Sequence, residues 1–153
     1  PTPEIVYSIG INELEPNAAR TGGFRLGKFS FKQFARPDLD NDYPIVRLGD
    51  VHLVHAEATA RAAGNWALAL PEVNAIRARA GVSALSSITA EGFLAERGRE
   101  MFQEATRRTD LIRFGKWNSS WWEKTNSDSF RSIFPIPTEQ LTANPSLQQN
   151  SGY

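Results

Sequence analysis

The chain has 153 residues, 17 Lys+Arg against 17 Asp+Glu, and no cysteine. That length suits one domain with a core of its own, and the missing thiols exclude both disulfides and thiolate metal sites. Zero net charge, balanced along the sequence, excludes the basic footprint of a nucleic-acid binder, and no apolar run approaches the ~18 residues that span a bilayer.

The chain opens Pro1-Thr2-Pro3-Glu4, without initiator Met, basic n-region or apolar h-region. It therefore reads as a mature product or a piece of something longer rather than a signal-bearing precursor. Residues 1–46 read as irregular with short extended pieces. Gly10, Gly22, Gly23, Gly27, Pro16, Pro37 and Pro44 interrupt any helical run. Phe24-Arg25-Leu26 and Phe29-Ser30-Phe31 alternate apolar and polar, the pattern of a loose hairpin around Gly27-Lys28. Asp38, Asp40 and Asp42 sit in a Pro-flanked turn, where carboxylates at i, i+2 and i+4 could wrap calcium. The Gly and distal Glu of an EF-hand loop are missing, and a solvated turn explains the run as well.

From Arg47 the composition becomes Ala-, Leu- and Val-rich, and the fold class reads as mainly α. Residues 47–81 predict a helix hairpin. Leu48, Val51, His55, Ala58 and Ala62 form one stripe of a helix ended by Gly64. Asn65 caps a second helix, about 66–80, with Trp66, Leu70, Val73, Ile76 and Ala80 along one side and Gly81 at its end. Pro71 predicts a distorted first turn, or a regular helix that starts near it. The two-residue link requires antiparallel packing, and the 34-residue unit has the size of a tetratricopeptide repeat. Residues 88–116 predict charged helices, one about 90–104 with Phe93, Leu94, Met101 and Phe102 as its apolar face, then one over 107–115. Residues 117–153 read as a Trp-bearing loop and an extended tail. Phe134-Pro135-Ile136-Pro137 must be extended, because a residue preceding Pro is pushed from the α region.

Four groups of residues invite chemistry. His52 and His55, with Glu57 nearby, could share a metal, but the spacing is not that of His-Glu-x-x-His and a packed helix face accounts for them. Glu96, Glu100 and Glu104 could supply an acid/base pair for a glycoside-processing enzyme, but carboxylates at i, i+4 on one helix do not flank a substrate. An ion-pair network explains them better, with Glu104→Arg108, Glu104/Arg107 and Asp110/Arg113 at favoured helical spacings. Thirteen of the 17 basic residues are Arg, the side chain suited to bidentate, partly buried pairing. Trp117, Trp121 and Trp122 cluster in a polar loop. Their rings either cover the helices beneath or stack on a sugar or a partner protein, and Trp121 and Trp122 are the candidate ligand-binding residues. No phosphate loop, nucleophile elbow or Cys/His pair is present, so no cofactor is expected.

Several of these segments together resemble the SusD/RagB family. Tyr43-Pro44-Ile45-Val46-Arg47-Leu48-Gly49-Asp50-Val51-His52-Leu53-Val54-His55-Ala56-Glu57-Ala58 is similar to its first conserved helix, with His52 and His55 where the family usually has Tyr. Asn74-Ala75-Ile76-Arg77-Ala78-Arg79-Ala80-Gly81 and Glu96-Arg97-Gly98-Arg99-Glu100 through Lys116 resemble the next two motifs, with Ala105 in place of the usual Gly. That replacement suggests a tighter or more helical break. Phe134-Pro135-Ile136-Pro137 and Asn144-Pro145 to Tyr153 resemble the closing ones.

The resemblance implies the C-terminal portion of a mainly α, tetratricopeptide-like, outer-membrane lipoprotein. Such a protein is exposed at the cell surface, with its lipid-bearing Cys upstream of Pro1. It implies non-catalytic binding of an oligosaccharide or other nutrient for a SusC-like TonB-dependent transporter. Two alternatives accompany it, a tetratricopeptide-type protein-interaction module without a sugar ligand and a glycoside-processing enzyme. The quoted motifs are scaffold motifs, so they carry no ligand residue over.

Overall fold

Pro44 and the extended backbone of Arg47 (φ −138°, ψ 161°) hold the chain out of helix until Leu48, where α1 begins and runs to Ala63. Gly64 ends it in the left-handed conformation at φ 62°, a position where a Cβ is penalised, and returns its N–H to Ala60 O and Arg61 O. Asn65 then caps the following turn, its Oδ1 accepting the Ala67 N–H at 3.1 Å. Trp66–Ala69 is a 3₁₀ turn and regular α2 occupies Leu70–Arg79. Pro71 lies in the first turn of α2, where its missing N–H leaves no bond unmade. These features are those of a computed structural model that describes residues 5–13, 17–24, 26–29 and 42–153. It divides into two compact units, Asn41–Trp117 and a second made of Pro1–Asp40 with Asn118–Tyr153.

In the first unit, grooves show how the hairpin closes. Arg47, Leu48, Gly49 and His52 line one groove together with Ala75, Ile76 and Arg79, so the start of α1 lies beside the end of α2 and the pair is antiparallel. Ala56, Ala60 and Ala69 are fully buried at this contact, where their small side chains let the backbones approach. They join Leu53, Val73, Phe93 and Met101 in one core, with Trp66, Ile76, Leu85, Ile88 and Phe114 packed against it. The stripe Leu48/Val51/His55/Ala58/Ala62 expected from the sequence is not the core-facing one. It stays exposed, and the buried residues of α1 are Leu53, Ala56, Glu57 and Ala60. Both faces of α1 are thus apolar, and periodicity alone picks either.

The loop after α2 is held by side chains of the second motif. Asn74 receives the Leu85 N–H at 2.8 Å and donates to Leu85 O at 3.0 Å, as a paired backbone would. Arg77 Nε donates to Ser83 O at 2.7 Å. Thr89 caps α3 by accepting the Gly92 N–H at 3.1 Å. Helix α3 covers Ala90–Glu100, shorter than the expected 90–104, and α4 covers Arg107–Arg113. Between them the chain reverses at two left-handed residues, Gln103 at φ 65° and Ala105 at φ 57°. The break at Ala105 is a turn rather than helix. Ala105 takes the left-handed conformation that glycine adopts without penalty. Ala105→Gly is expected to stabilise the unit by about 1 kcal/mol, the left-handed cost less the entropy glycine adds to the unfolded chain. A urea midpoint unchanged or lowered in that variant would show that the Cβ is not strained.

Among its described residues the second unit holds few regular elements. Isolated bridges join Ser8 to Gly22 and Trp121 to Lys124, and Ser129–Ser132 forms a 3₁₀ turn. A short helix α5, Thr138–Ala143, falls inside the segment expected to be an extended tail. Six residues after a Pro-rich stretch are too few to show a period. Phe134–Pro137 has no helical or strand assignment, Pro137 lies at φ −57°, ψ 140°, and the closing motif bonds to this segment. Gln149 exchanges a pair of hydrogen bonds with the Ile136 backbone at 2.8 and 2.9 Å. Asn150 Nδ2 donates to Phe134 O and Tyr153 Oη to Ile133 O, both at 2.7 Å. The Tyr153 ring meets Phe130 edge-on at 4.9 Å. Gly152, at φ 99°, lies so close over the Phe130 ring that any Cβ there would collide. Arg25, Ser30, Phe31 and the Asp38/Asp40 part of the acidic turn lie outside the described residues, so the hairpin and calcium expectations do too.

Candidate functional site

Charged residues of α3 and α4 pair with one another and with residues of α1 and α2 in the first unit. Arg97, buried, donates Nε to Asp110 Oδ1 and Nη1 to Asp50 Oδ1, both at 2.8 Å, and so ties α3 to α4 and α1. Arg113 grips Glu57 with both branches at 2.7 and 2.8 Å and reaches Asp110 Oδ1 at 2.8 Å, the expected i, i+3 pair. Arg61 adds a third bond to Glu57 at 2.7 Å and lies over the Phe114 ring at 4.5 Å. Arg77 and Arg99 share Glu96.

Arg47 binds the turn after α3 at three points. It donates to Glu104 Oε2 at 2.6 Å, to Glu100 Oε1 at 2.5 Å and to the Glu100 carbonyl at 2.7 Å. The expected pairings of Glu104 with Arg107 and Arg108 need a helix continuous from 104 to 108. The chain reverses there, so Glu104 binds Arg47. Arg107 Nη1 donates to Leu94 O at 2.8 Å, its guanidinium lying where Gly98 has no side chain. Glu96, Glu100 and Glu104 are all engaged by guanidinium groups, the opposite of an acid/base pair spaced around a substrate.

The ion pairs set the local pKa values. Hydrogen bonding to Glu104, against the cost of burial and with help from Glu100, raises Arg47 far above its ordinary value. Glu57 does the same for Arg113. For Glu57 burial favours the neutral acid, but the hydrogen bonds from Arg113 and Arg61 prevail and hold its pKa below 4.5. A carboxylate whose pKa is lowered on folding stabilises above its unfolded pKa, and that contribution is lost as pH falls through the folded one. Acid titration is therefore expected to weaken the fold below about pH 4.5 in a way that Glu57→Gln diminishes. Superimposable acid-unfolding curves for the two proteins would contradict it.

His52 and His55 are exposed rather than packed, and both Nδ1 atoms face the carboxylate of Glu72 on α2. Among the described residues no group of three or more His, Cys, Asp or Glu side chains is placed to hold a metal. No described helix is long and apolar enough to cross a membrane.

The tryptophans separate. Trp117 belongs to the first unit, half-buried, with the Arg108 guanidinium 5.2 Å from its ring centre. Trp121 and Trp122 belong to the second and are 44% and 51% exposed. They sit on a two-residue hairpin: Trp121 N donates to Lys124 O at 3.0 Å and Lys124 N to Trp121 O at 2.9 Å, leaving Trp122-Glu123 at the tip. Sequence reasoning found the rings through their polar surroundings. It missed Lys124, whose Nζ sits 4.2 Å from the Trp121 ring centre. A Trp-x-x-Lys spacing across a tight turn was the available signal.

The first unit is a tetratricopeptide-sized helix hairpin locked by arginine–carboxylate pairs, and the second exposes two tryptophans. Comparison with known proteins gives the chain a family. Residues 11–131 match the sequence model of the SusD family, and the chain belongs to that family. The starch-binding protein SusD of Bacteroides thetaiotaomicron is 32% identical over 124 residues, 74% of this chain and 22% of that protein. The crystal structure of a SusD superfamily protein from Parabacteroides distasonis matches with a TM-score of 0.55 at 30% identity, over 69% of this chain and 26% of that one. The chain thus spans about a quarter or less of the length of these relatives.

Proposed function

We propose that this chain is the C-terminal portion of a non-catalytic nutrient-binding protein of the outer cell surface. Its ligand is an oligosaccharide, which it binds for uptake by a SusC-like TonB-dependent transporter, and a lipid anchor upstream of this segment holds it to the outer membrane. The observation that carries the reading is the 32%-identical relative named for binding starch. The order of the conserved segments supports the placement along the family. The engagement of Glu96, Glu100 and Glu104 by arginines supports binding over hydrolysis. Within the chain, we assign the ligand to the hairpin that carries Trp121 and Trp122, since flat rigid rings offer apolar area at low entropic cost.

Native gels cast with soluble starch test this directly. The chain is expected to be retarded, and Trp121→Ala/Trp122→Ala to migrate as in a starch-free gel. Equal retardation of both proteins would remove the tryptophans from the site. Failure of the parent chain to respond to starch, maltooligosaccharides or a wider glycan array would reject the sugar reading for this segment.

One feature favours a second reading, a helix-hairpin module that binds protein. Leu48, Val51 and Val54 on α1 are more than half exposed. An open groove of about 720 Å³ also runs past Ala95, Met101, Phe102 and Ala105. Apolar surface of this kind marks contact with another polypeptide. Co-purification of the transporter with a chain that has no sugar affinity would favour it.

A further inference from the structure

The tryptophan hairpin is built asymmetrically, and the asymmetry divides its two rings. Trp121 is a bridge residue of the hairpin, joined to Lys124 by both bridge hydrogen bonds. Its ring carries the Lys124 ammonium 4.2 Å from its centre. That ammonium is itself anchored, donating to Ser119 O at 2.9 Å and Thr125 O at 3.0 Å, with Ser127 Oγ at 3.5 Å. A cation held over an aromatic face is an attractive contact, so this face of Trp121 is occupied by the protein's own side chain.

Trp122 stands instead at the first tip position, half exposed. The tip is kept in an unfavourable form. Glu123 has φ 56°, a conformation that turns of this kind normally give to Gly or Asn. Neighbouring bonds keep the loop from relaxing. Asn126 Oδ1 accepts the Ser120 N–H at 2.7 Å, and Asn118 binds both Ser132 Oγ at 2.8 Å and Ser127 Oγ at 3.2 Å. Strain retained in a surface turn that its surroundings over-determine is a mark of a functional position.

We infer that Trp122 alone is the stacking platform for the sugar, and that Lys124 is a positioning residue that occupies Trp121 and thereby fixes the hairpin that presents Trp122. The inference rests on the oligosaccharide reading above and sharpens it. It names the ligand chemistry as well. A flat ring beside an ammonium already bonded to Trp121 and to loop carbonyls favours the apolar C–H face of a neutral pyranose over an anionic or sulfated sugar.

The test uses the whole chain, with soluble starch in native gels and a maltooligosaccharide in calorimetry as probes. Trp122→Ala is expected to weaken binding about tenfold or more, the scale of a stacked aromatic hot spot. Trp121→Phe, which keeps an aromatic face for Lys124, is expected to weaken binding less than Trp122→Phe does. Lys124→Met is expected to weaken binding, and Lys124→Arg to restore it, because a guanidinium keeps both the charge over the ring and the bonds to the loop carbonyls.

Circular dichroism of each variant identifies any that fails to fold, and Trp122→Phe then replaces Trp122→Ala as the stacking probe. Equal losses in Trp121→Phe and Trp122→Phe would overturn the division of roles while leaving the sugar reading in place. Loss in Lys124→Met without recovery in Lys124→Arg would overturn the positioning role. Parent-like binding by Trp122→Ala would overturn the platform. No binding by the parent chain would overturn the sugar reading and this inference with it.

Discussion

Arg97→Ala is expected to destabilise the helical unit by about 3–5 kcal/mol, the cost of stripping one partner from a buried ion pair. The geometry places the pair at the high end of such effects. Asp110 is 0% exposed, and its Oδ1 accepts from both Arg97 and Arg113 while Oδ2 is buried without a hydrogen-bond partner. Its negative charge therefore depends on two guanidiniums at a single oxygen. Removal of Arg97 leaves Arg113, which is shared with Glu57 and far more exposed. A second variant, Arg97→Met/Asp110→Leu, separates the cost of an unpaired charge from the worth of the pair. It replaces both charges with apolar groups and is expected to lose less than Arg97→Ala alone. Urea unfolding followed by circular dichroism measures both. A shift below about 1 kcal/mol for Arg97→Ala would mean that water reaches Asp110 and that the ion pair is a surface feature.

What the sequence made legible was mostly local. Gly64, Asn65, Gly81 and Gly115 mark helix ends because their backbone and side-chain chemistry acts within a few residues, and each lies at an end in the structure. The Asp110–Arg113 pair follows from helical spacing. Pro135 and Pro137 keep the residues before them out of helix wherever the segment lies. Facts that depend on the third dimension were not legible. Arg47 and Glu104 are 57 positions apart, and no spacing rule selects them over any other Arg and Glu. The stripe on α1 was visible, but the choice of the face that meets the core depends on Val73 and Phe93, which periodicity in α1 does not sense. The end of α3 was missed because Met101 and Phe102 continue its apolar pattern, while the reversal at Gln103 and Ala105 is flanked by bonds from Arg47, outside the helix, to Glu100 and Glu104. At the candidate site, polar neighbours announced exposed tryptophans. The clamp by Lys124 depends on a hairpin geometry that Glu123, an unfavourable residue at its position, would have argued against.

Arg47 carries the other large expectation, since it supplies from one side chain what two helices and a turn require. Its Nε and Nη1 neutralise Glu104 and Glu100, its Nη2 caps the last carbonyl of α3, and Met101 Sδ lies 3.3 Å from the same nitrogen. Glu104 is buried, so Arg47→Ala removes a guanidinium bonded at 2.6 Å to a buried carboxylate and is expected to cost about 3–5 kcal/mol. Arg47→Lys should recover little of that loss. An ammonium is a point donor on a flexible stem and lacks the planar fork that reaches two carboxylates and a carbonyl together. The consequence is also local. The reversal at Gln103 and Ala105 is held in left-handed conformations, and the Tyr43 hydroxyl also donates to Gln103 O at 2.8 Å. Without Arg47 the turn loses what offsets its strain. Amide hydrogen exchange over residues 101–106 should then accelerate by more than the global loss of stability accounts for. If those amides exchange in step with α1 and α2 in Arg47→Ala, the turn is held by core packing through Met101, and Arg47 contributes only to overall stability.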